Sequence, residues 1–290
     1  MNKKRKAIDG FIYDLMVFTS AAVGLALIGI IGYILIQSAG QLKPSVVFGP
    51  IKGDIRGSGS LLPMIITTAW TVVVSLAIAL PAGIMTAVYL QEYAFKSRIS
   101  RFLGLAIDTL AGIPSIIYGL FGLLFFCRFF SLGQSIIAGG LTLSIMILPV
   151  IIRTTEEALK TVPDSFREGS LSLGATKFQT IVNAVLPPAL PGILTGAILA
   201  VGRVVGESAP VLFTVGIALN LPRSIFEPGR TLTIHLYYLT KEAVNPGDFA
   251  QAFTAAAVLV ILILIINGAV KLIGKGFGFM SGGGSGENID

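Results

Sequence analysis

Four stretches of this chain, Leu15–Ile36, Leu61–Leu90, Phe129–Ile152 and Phe249–Val270, contain no Asp, Glu, Lys or Arg. Each is long enough to cross a bilayer as helix, which takes roughly 20 apolar residues. Phe102–Phe126 is interrupted only by Asp108, and Pro191–Leu221 only by Arg203 and Glu207. Backbone placed in hydrocarbon has to satisfy its own hydrogen bonds, so such segments form helices rather than open strands. A membrane β-barrel would instead show alternating segments of about ten residues, and none is visible. The expectation is an all-α membrane protein with six transmembrane helices, at about 12–36, 61–90, 102–126, 130–152, 191–218 and 249–271. They form one membrane domain, 12–273, between a basic N-terminus, 1–11, and a flexible Gly/Ser-rich tail, 274–290. With 54% hydrophobic residues, 12% charged residues and a mean hydropathy of +0.85, the composition excludes an ordinary soluble domain.

Charge placement gives the orientation. With the N-terminus inside, the inner segments carry Lys3, Lys4, Arg5, Lys6, Lys96, Arg98, Arg101, Arg153, Lys160, Arg167, Lys177, Lys271 and Lys275. The outer segments carry only Lys43, Lys52, Arg56, Arg128, Arg223, Arg230 and Lys241. This asymmetry obeys the positive-inside rule and puts both termini and the 153–190 loop in the cytoplasm of a bacterial plasma membrane. The net charge of +6 is then a topology signal. A nucleic-acid partner would require a basic face on a soluble domain. The apolar stretch behind MNKKRK is too long for a signal-peptide core and reads as an uncleaved first helix.

Cys127 and His235 are each the single residue of their type, so the sequence offers no internal disulfide and no metal-ligand cluster, and no cofactor is expected. His235 falls in the outer 219–249 loop and is expected at the surface. Within that loop, residues 231–243 read as a short amphipathic element. Tyr237 and Tyr238 suit the membrane interface. It is either a re-entrant cap or the surface that meets an external protein. The outer loop 38–60, with Pro44 and Pro50, reads as irregular.

The inner loop reads as two helices. Asp164 or Ser165 can cap the first, and Ser165 with Glu168 has capping-box spacing. Gly174 suits the left-handed residue that ends it. Thr176 with Gln179 makes a second capping box, and Pro187, Pro188 and Pro191 are expected to break that helix before the membrane. Phe166 and Leu173 fall on one side of the first helix. Among the spans, Gly192, Gly196 and Ala200 form one row of small residues, and Gly202 with Gly206 another; such rows let membrane helices approach closely.

Arg203 and Glu207 lie one turn apart in an apolar run. An intramembrane charge costs about 2.5–3.5 kcal/mol on insertion scales, so the pair has a reason. Either it fixes helix register as an ion pair, or it lines a polar path. The guanidinium fork suits an oxyanion, which it binds bidentately. Glu207 would hold Arg203 while the path is empty and compete with the anion for it. Arg153 ends the fourth helix and Asp108 sits near the inner end of the third; both read as interfacial residues.

Residues 168–187, EGSLSLGATKFQTIVNAVLP, resemble the cytoplasmic loop of ABC importer permeases, E-A-A followed by G and a stretch ending I-x-L-P. Glu168, Gly174, Leu186 and Pro187 keep that spacing, Gly169 and Ser170 stand where Ala-Ala is usual, and Ala184 replaces Ile. AGIPSIIYGLFG (111–122), ILPVIIRTTEEALKTVP (147–163) and GRVVGESAPVLFT (202–214) are similar to phosphate-specific members of that family. The resemblance implies a type I importer permease fold with a docking loop for an ATPase dimer, carried here by Glu168, Gly169, Gly174, Ala175, Leu186 and Pro187. It implies a second homologous permease subunit and an external phosphate-binding protein. It also implies that Arg153, Arg203 and Glu207 matter for phosphate passage through the lipid membrane.

Three other functions compete. A permease for sulfate, molybdate or an organic solute is separated by the Arg203 helix, which a neutral solute would not need. An ATP-independent anion channel needs no docking loop. An intramembrane enzyme needs a Ser–His pair, paired Asp residues or metal ligands within the spans, and the one His is assigned outside. The chain carries no nucleotide-binding loop either: GSLSLGAT (169–176) has Ala175 where the lysine of G-x-x-x-x-G-K-[ST] stands, which leaves ATP hydrolysis to a partner subunit.

Overall fold

In a chain this apolar every regular element should be a helix, and among the described residues there is no strand. The computed structural model describes residues 3–49, 60–94, 97–243 and 246–281. The expectations for residues 50–59 and for most of the tail, 282–290, lie outside them. The helices are α1 (Lys3–Ser38), α2 (Pro44–Phe48), α3 (Leu62–Val88), α4 (Arg98–Ala111), α5 (Ser115–Gly122) and α6 (Ile136–Lys160), then α7 (Asp164–Ser172), α8 (Lys177–Thr180), α9 (Leu186–Gly206), α10 (Ala209–Thr214), α11 (Leu232–Glu242) and α12 (Pro246–Ser281). Wider π-turns, Tyr89–Tyr93, Leu123–Phe129 and Ile181–Val185, continue α3, α5 and α8.

Five continuous helical stretches are long and apolar enough to cross a membrane: Asp9–Ser38, Leu62–Tyr93, Ile136–Lys160, Lys177–Gly206 and Phe249–Leu272. The sixth candidate is the pair α4 and α5, bent by 98°. An unbroken span over 102–126 is therefore corrected. Gly112, Ile113 and Pro114 interrupt it, because proline lacks an N–H and pushes the residue before it out of helical backbone. The Tyr118 hydroxyl donates across the bend to the carbonyl of Leu110 at 2.7 Å.

The fifth span departs from expectation at both ends. Its helix starts at Lys177, and the prolines do not break it. The π-turn Ile181–Val185 shifts the hydrogen-bond register and sets Pro187 and Pro188 in the first turn of α9, where a missing N–H is tolerated. At the other end α9 stops at Gly206 rather than 218, and Glu207 is extended (φ −74°, ψ 137°). The fourth span runs on to Lys160, so Arg153 lies inside α6 rather than at its end.

The centre of the bundle is α3, α6 and α9, with Val72, Leu143, Ile147, Ala200 and Val201 buried among them. Lipid tails are as apolar as these side chains, so close fit rather than water exclusion holds the helices together. Gly83 on α3 shows the fit: a Cβ there would sit 2.6 Å from Ile151 Cγ2 of α6. Gly192 and Gly196 meet Ala158 and Thr154 of α6, whereas a Cβ on Gly202 or Gly206 would meet nothing within 4 Å. Only the first of the two small-residue rows is thus a packing seam within the chain. The outlying α1 packs along α12, with Tyr33 edge-on to Phe253 at 5.5 Å between ring centroids.

Overpacking a tight seam costs about 1–3 kcal/mol. Gly83→Val should therefore lower the thermal unfolding midpoint of the detergent-purified chain, and Gly24→Ala, with open space around it, should not. Equal midpoints for the two variants would contradict the α3–α6 seam.

Candidate functional site

Two groups of residues stand out, one on the loop between α6 and α9 and one inside the spans. At the loop, Pro163 stops the continuation of α6 and becomes the N-cap of α7, with no side-chain cap. The Ser165–Glu168 capping box does not form, because the helix already starts at Asp164. Gly174 takes φ +83°, a backbone that glycine adopts without penalty, and the Ala175 N–H donates back to the Ser170 carbonyl at 3.2 Å. The Thr176–Gln179 capping box then opens α8. Ser170 Oγ and Thr180 Oγ1 meet at 2.9 Å and close the elbow.

No residue of α7 is buried. Phe166 and Leu171 are half exposed, Phe178 more so, and Leu173 is 90% exposed. Apolar side chains on a lipid-facing helix need no explanation. Here they project from a loop beyond the spans and form a small apolar knob. Glu168, Gly169, Gly174 and Ala175 share this elbow. Leu186 and Pro187 do not: they lie beyond the π-turn, half-buried at the start of α9, where Leu186 packs against the cluster of Leu159, Val185 and Ala189.

What holds the elbow to the bundle is Arg167, a residue the sequence reading counted only as an inner charge. Its Nη2 and Nε donate to the Glu92 carboxylate at 2.8 and 3.1 Å. Its Nη1 donates to the Val162 carbonyl at 2.8 Å and to Asp164 at 3.1 Å, and Nη2 also reaches the Leu159 carbonyl at 3.0 Å. The two side chains are only 17% and 8% exposed. The Glu92 hydrogen bonds push the guanidinium pKa further up than usual, against the opposing effect of burial. One side chain thus ties α7 to the far end of α3 and to the end of α6, beside a cleft of about 480 Å³. Lys177 adds a cation over the Tyr93 ring at 4.8 Å. The only sequence signal for this clip was a basic residue directly before Glu168 and an acid at the end of an apolar run, and nothing in the spacing joins the two.

Inside the spans the arginines differ in how much of the guanidinium is occupied. Arg153 uses Nε on Asp108 at 3.0 Å, Nη1 on Glu156 at 2.7 Å and Nη2 on the Gly104 carbonyl at 3.1 Å. It locks α4 onto α6, and neither it nor Asp108 is a simple interfacial residue. Arg203 makes no hydrogen bond among the described residues. Its Nε lies 3.9 Å from Glu207 Oε1, with the side chains 36% and 17% exposed. The pairing does not come from adjacent helical turns, since α9 has ended before Glu207. Arg203 is therefore a loosely held cation, its guanidinium without a hydrogen-bond acceptor among the described residues.

The end of the bundle opposite α7 corrects one more expectation. His235 is 1% exposed. Thr231 caps α11 by accepting from Ile234 N–H, Leu232 N–H donates to Thr68 Oγ1 of α3 at 2.9 Å, and Thr233 Oγ1 donates to the Val205 carbonyl of α9. These contacts turn the His235 face of α11 inward, which helical amphipathicity alone did not specify.

The comparisons with known proteins agree with this architecture. The family described as "Binding-protein-dependent transport system inner membrane component" matches residues 79–278. A probable ABC transporter permease protein of Bacillus subtilis, YqgI, is 34% identical over 284 residues, covering 93% of this chain and 96% of the relative. The phosphate transport system permease protein PstA 1 of Mycobacterium tuberculosis is 41% identical over 202 residues, covering 69% of this chain and 66% of the relative. In fold, the chain is similar to a bacterial ABC transporter involved in import of the acidic polysaccharide alginate. The TM-score is 0.62 at 14% identity, with 94% of this chain and 97% of that one covered. It is also similar to the MetNI methionine ABC transporter in an inward-facing conformation, with TM-score 0.57 at 24% identity, covering 74% and 93%. An all-helical membrane chain with an exposed elbow between its central spans, matched over most of its length by these proteins, belongs to the family of binding-protein-dependent transport system inner membrane components.

Proposed function

We propose that the chain is the permease subunit through which an ABC importer passes inorganic phosphate, with ATP hydrolysis in a separate subunit. The observation that carries the substrate is Arg203, an intramembrane guanidinium with no hydrogen bond to spend before an oxyanion arrives. A planar fork of this kind matches a tetrahedral oxyanion, and the relatives named as phosphate permeases support the choice of phosphate. Glu207 keeps Arg203 near while the path is empty and weakens anion binding enough for release. Arg153, with each guanidinium nitrogen engaged and its charge offset by Asp108 and Glu156, acts on the path as a structural strut.

The elbow is the ATPase docking site. Its exposed Phe166, Leu171, Leu173 and Phe178 fill a groove of that partner, and Glu168 and Gly169 lie beside them. Arg167 and Glu92 pass the movement of the elbow to α3, and the ends of α6 follow through Leu159 and Val162. A second homologous permease completes the path, and an external phosphate-binding protein delivers to the opposite end. Both termini are cytoplasmic, as the distribution of Lys and Arg requires. The cycle is alternating access, driven by differential affinity of ATPase and substrate for the two states.

In proteoliposomes holding the whole complex, ATP-dependent uptake of labelled phosphate should be competed away by excess phosphate but not by sulfate or molybdate, and Arg203→Gln should abolish it. Competition by sulfate or molybdate would reassign the substrate to another oxyanion, and uptake without ATP would indicate a channel. Glu207→Gln should retain phosphate more tightly, with a lower KM and slower release; unchanged transport constants would remove the competition role. Breaking a buried ion pair costs about 3–5 kcal/mol, so Arg167→Gln or Glu92→Gln should cut phosphate moved per ATP by about tenfold or more while hydrolysis continues. Exchanging the two charges should recover part of the loss. Normal coupling in the single variants would show that the clip does not transmit motion.

A further inference from the structure

Resting on the oxyanion reading above, we propose that Arg230 and His235 form a second oxyanion station, at the end of the bundle opposite α7, closed in this conformation and opened when α11 moves. Arg230 precedes α11 and is only 4% exposed. Its Nε donates to the Ile217 carbonyl at 3.1 Å, and the guanidinium lies over the Tyr238 ring at 4.7 Å. No carboxylate among the described residues is within ion-pair distance of it, and its Nη1 has no acceptor. His235, 1% exposed, has no partner at Nδ1 or Nε2. Burial, with the charge of Arg230 as the smaller cause, pushes its pKa down to about 4, so the ring is neutral and offers one N–H.

Buried polar groups in native proteins are nearly always paired, and an unpaired cation is the costliest exception. The missing partner is defined by chemistry. Guanidinium only donates, so the partner is an acceptor, and compensating a buried cation calls for an anion. It does not come from a partner protein in this conformation, since Arg230 Nη1 and both ring nitrogens of His235 are enclosed by this chain alone.

A row of hydroxyls lies beside the two groups. Thr67, Thr71 and Ser75 recur every fourth residue on the buried face of α3, each hydroxyl donating to its own helix. Thr67 meets Gly229, and the three hydroxyls become donors to an anion only by turning away from their own carbonyls. Thr233, three residues beyond Arg230, bonds Val205, two residues beyond Arg203. That bond joins α9 to α11 within three residues of each arginine in sequence. Leu232 N–H to Thr68 and Thr233 to Val205 bond α11 to α3 and α9, and Leu232, Ile234 and Leu239 are buried in the core, so opening has to break these bonds and slide this packing. An anion that binds only after they part favours the open state by its differential affinity, and Arg230 hands it on toward Arg203.

The test uses the complete reconstituted complex and labelled inorganic phosphate, comparing wild type with Arg230→Gln, Arg230→Lys and His235→Gln. Loss of a charge-assisted hydrogen bond should raise the uptake KM by about tenfold or more in Arg230→Gln, with Lys restoring part of it. A merely structural role would lower the amount of assembled complex and Vmax but leave KM alone, and that result overturns the station. A second reading is independent of that variant's folding. In a Cys127→Ser background, His235→Cys should react with a cationic thiol reagent in the ATP-trapped complex, and phosphate should slow the reaction. Labelling indifferent to phosphate overturns the station as well. Failure of the parent proposal looks different, because the wild-type complex would then show no ATP-dependent phosphate uptake at all.

Discussion

The constraint behind every other feature is that backbone in hydrocarbon has no water to bond. It forces helices through the apolar runs, and it also determines where helix is allowed to stop. The break at Gly112–Pro114 is bridged by the Tyr118 hydroxyl. The end of α9 is covered by Thr233, which takes up the Val205 carbonyl. Irregular backbone occurs at these places because hydroxyls from neighbouring helices donate to the released carbonyls. The π-turn before α9 is the same solution in another form, letting Pro187 and Pro188 enter a continuous helix.

Once the helices are given, arginines decide how the bundle is joined. Arg153 joins α4 to α6 with its guanidinium engaged on two acids and a carbonyl. Arg167 joins the elbow to α3 and α6 with two acids and two carbonyls. Engaged in this way, a guanidinium is a rigid strut. Arg203 and Arg230 are the opposite case, one held at 3.9 Å by a single acid and one with no carboxylate within ion-pair distance among the described residues. In a protein that moves an anion, unsatisfied cations are useful, since they bind a transient guest instead of a permanent partner. The division between struts and open forks follows from counting acceptors around each side chain.

Much of the elbow was legible beforehand. Gly174 as the left-handed stop and the Thr176–Gln179 box follow from short-range chemistry, in which four or five consecutive residues carry the information. Arg203 stood out because a charge in an apolar run is conspicuous. The Arg167–Glu92 clip was not legible, since 75 residues separate its members. The burial of His235 was hidden for a related reason. An eleven-residue helix with apolar groups on more than one side does not say which face turns inward.

The sequence by itself determined the helical class, the placement of spans along the chain, the site of the exposed elbow and the presence of a cation within an apolar span. Those properties depend on local composition, on backbone saturation and on signals within one helical turn. Only the tertiary structure decided which arginines are satisfied and which are open, where spans bend or stop, and which face of α11 is buried. Those outcomes depend on acceptors brought from distant segments, and hydropathy is blind to which helix lies beside which.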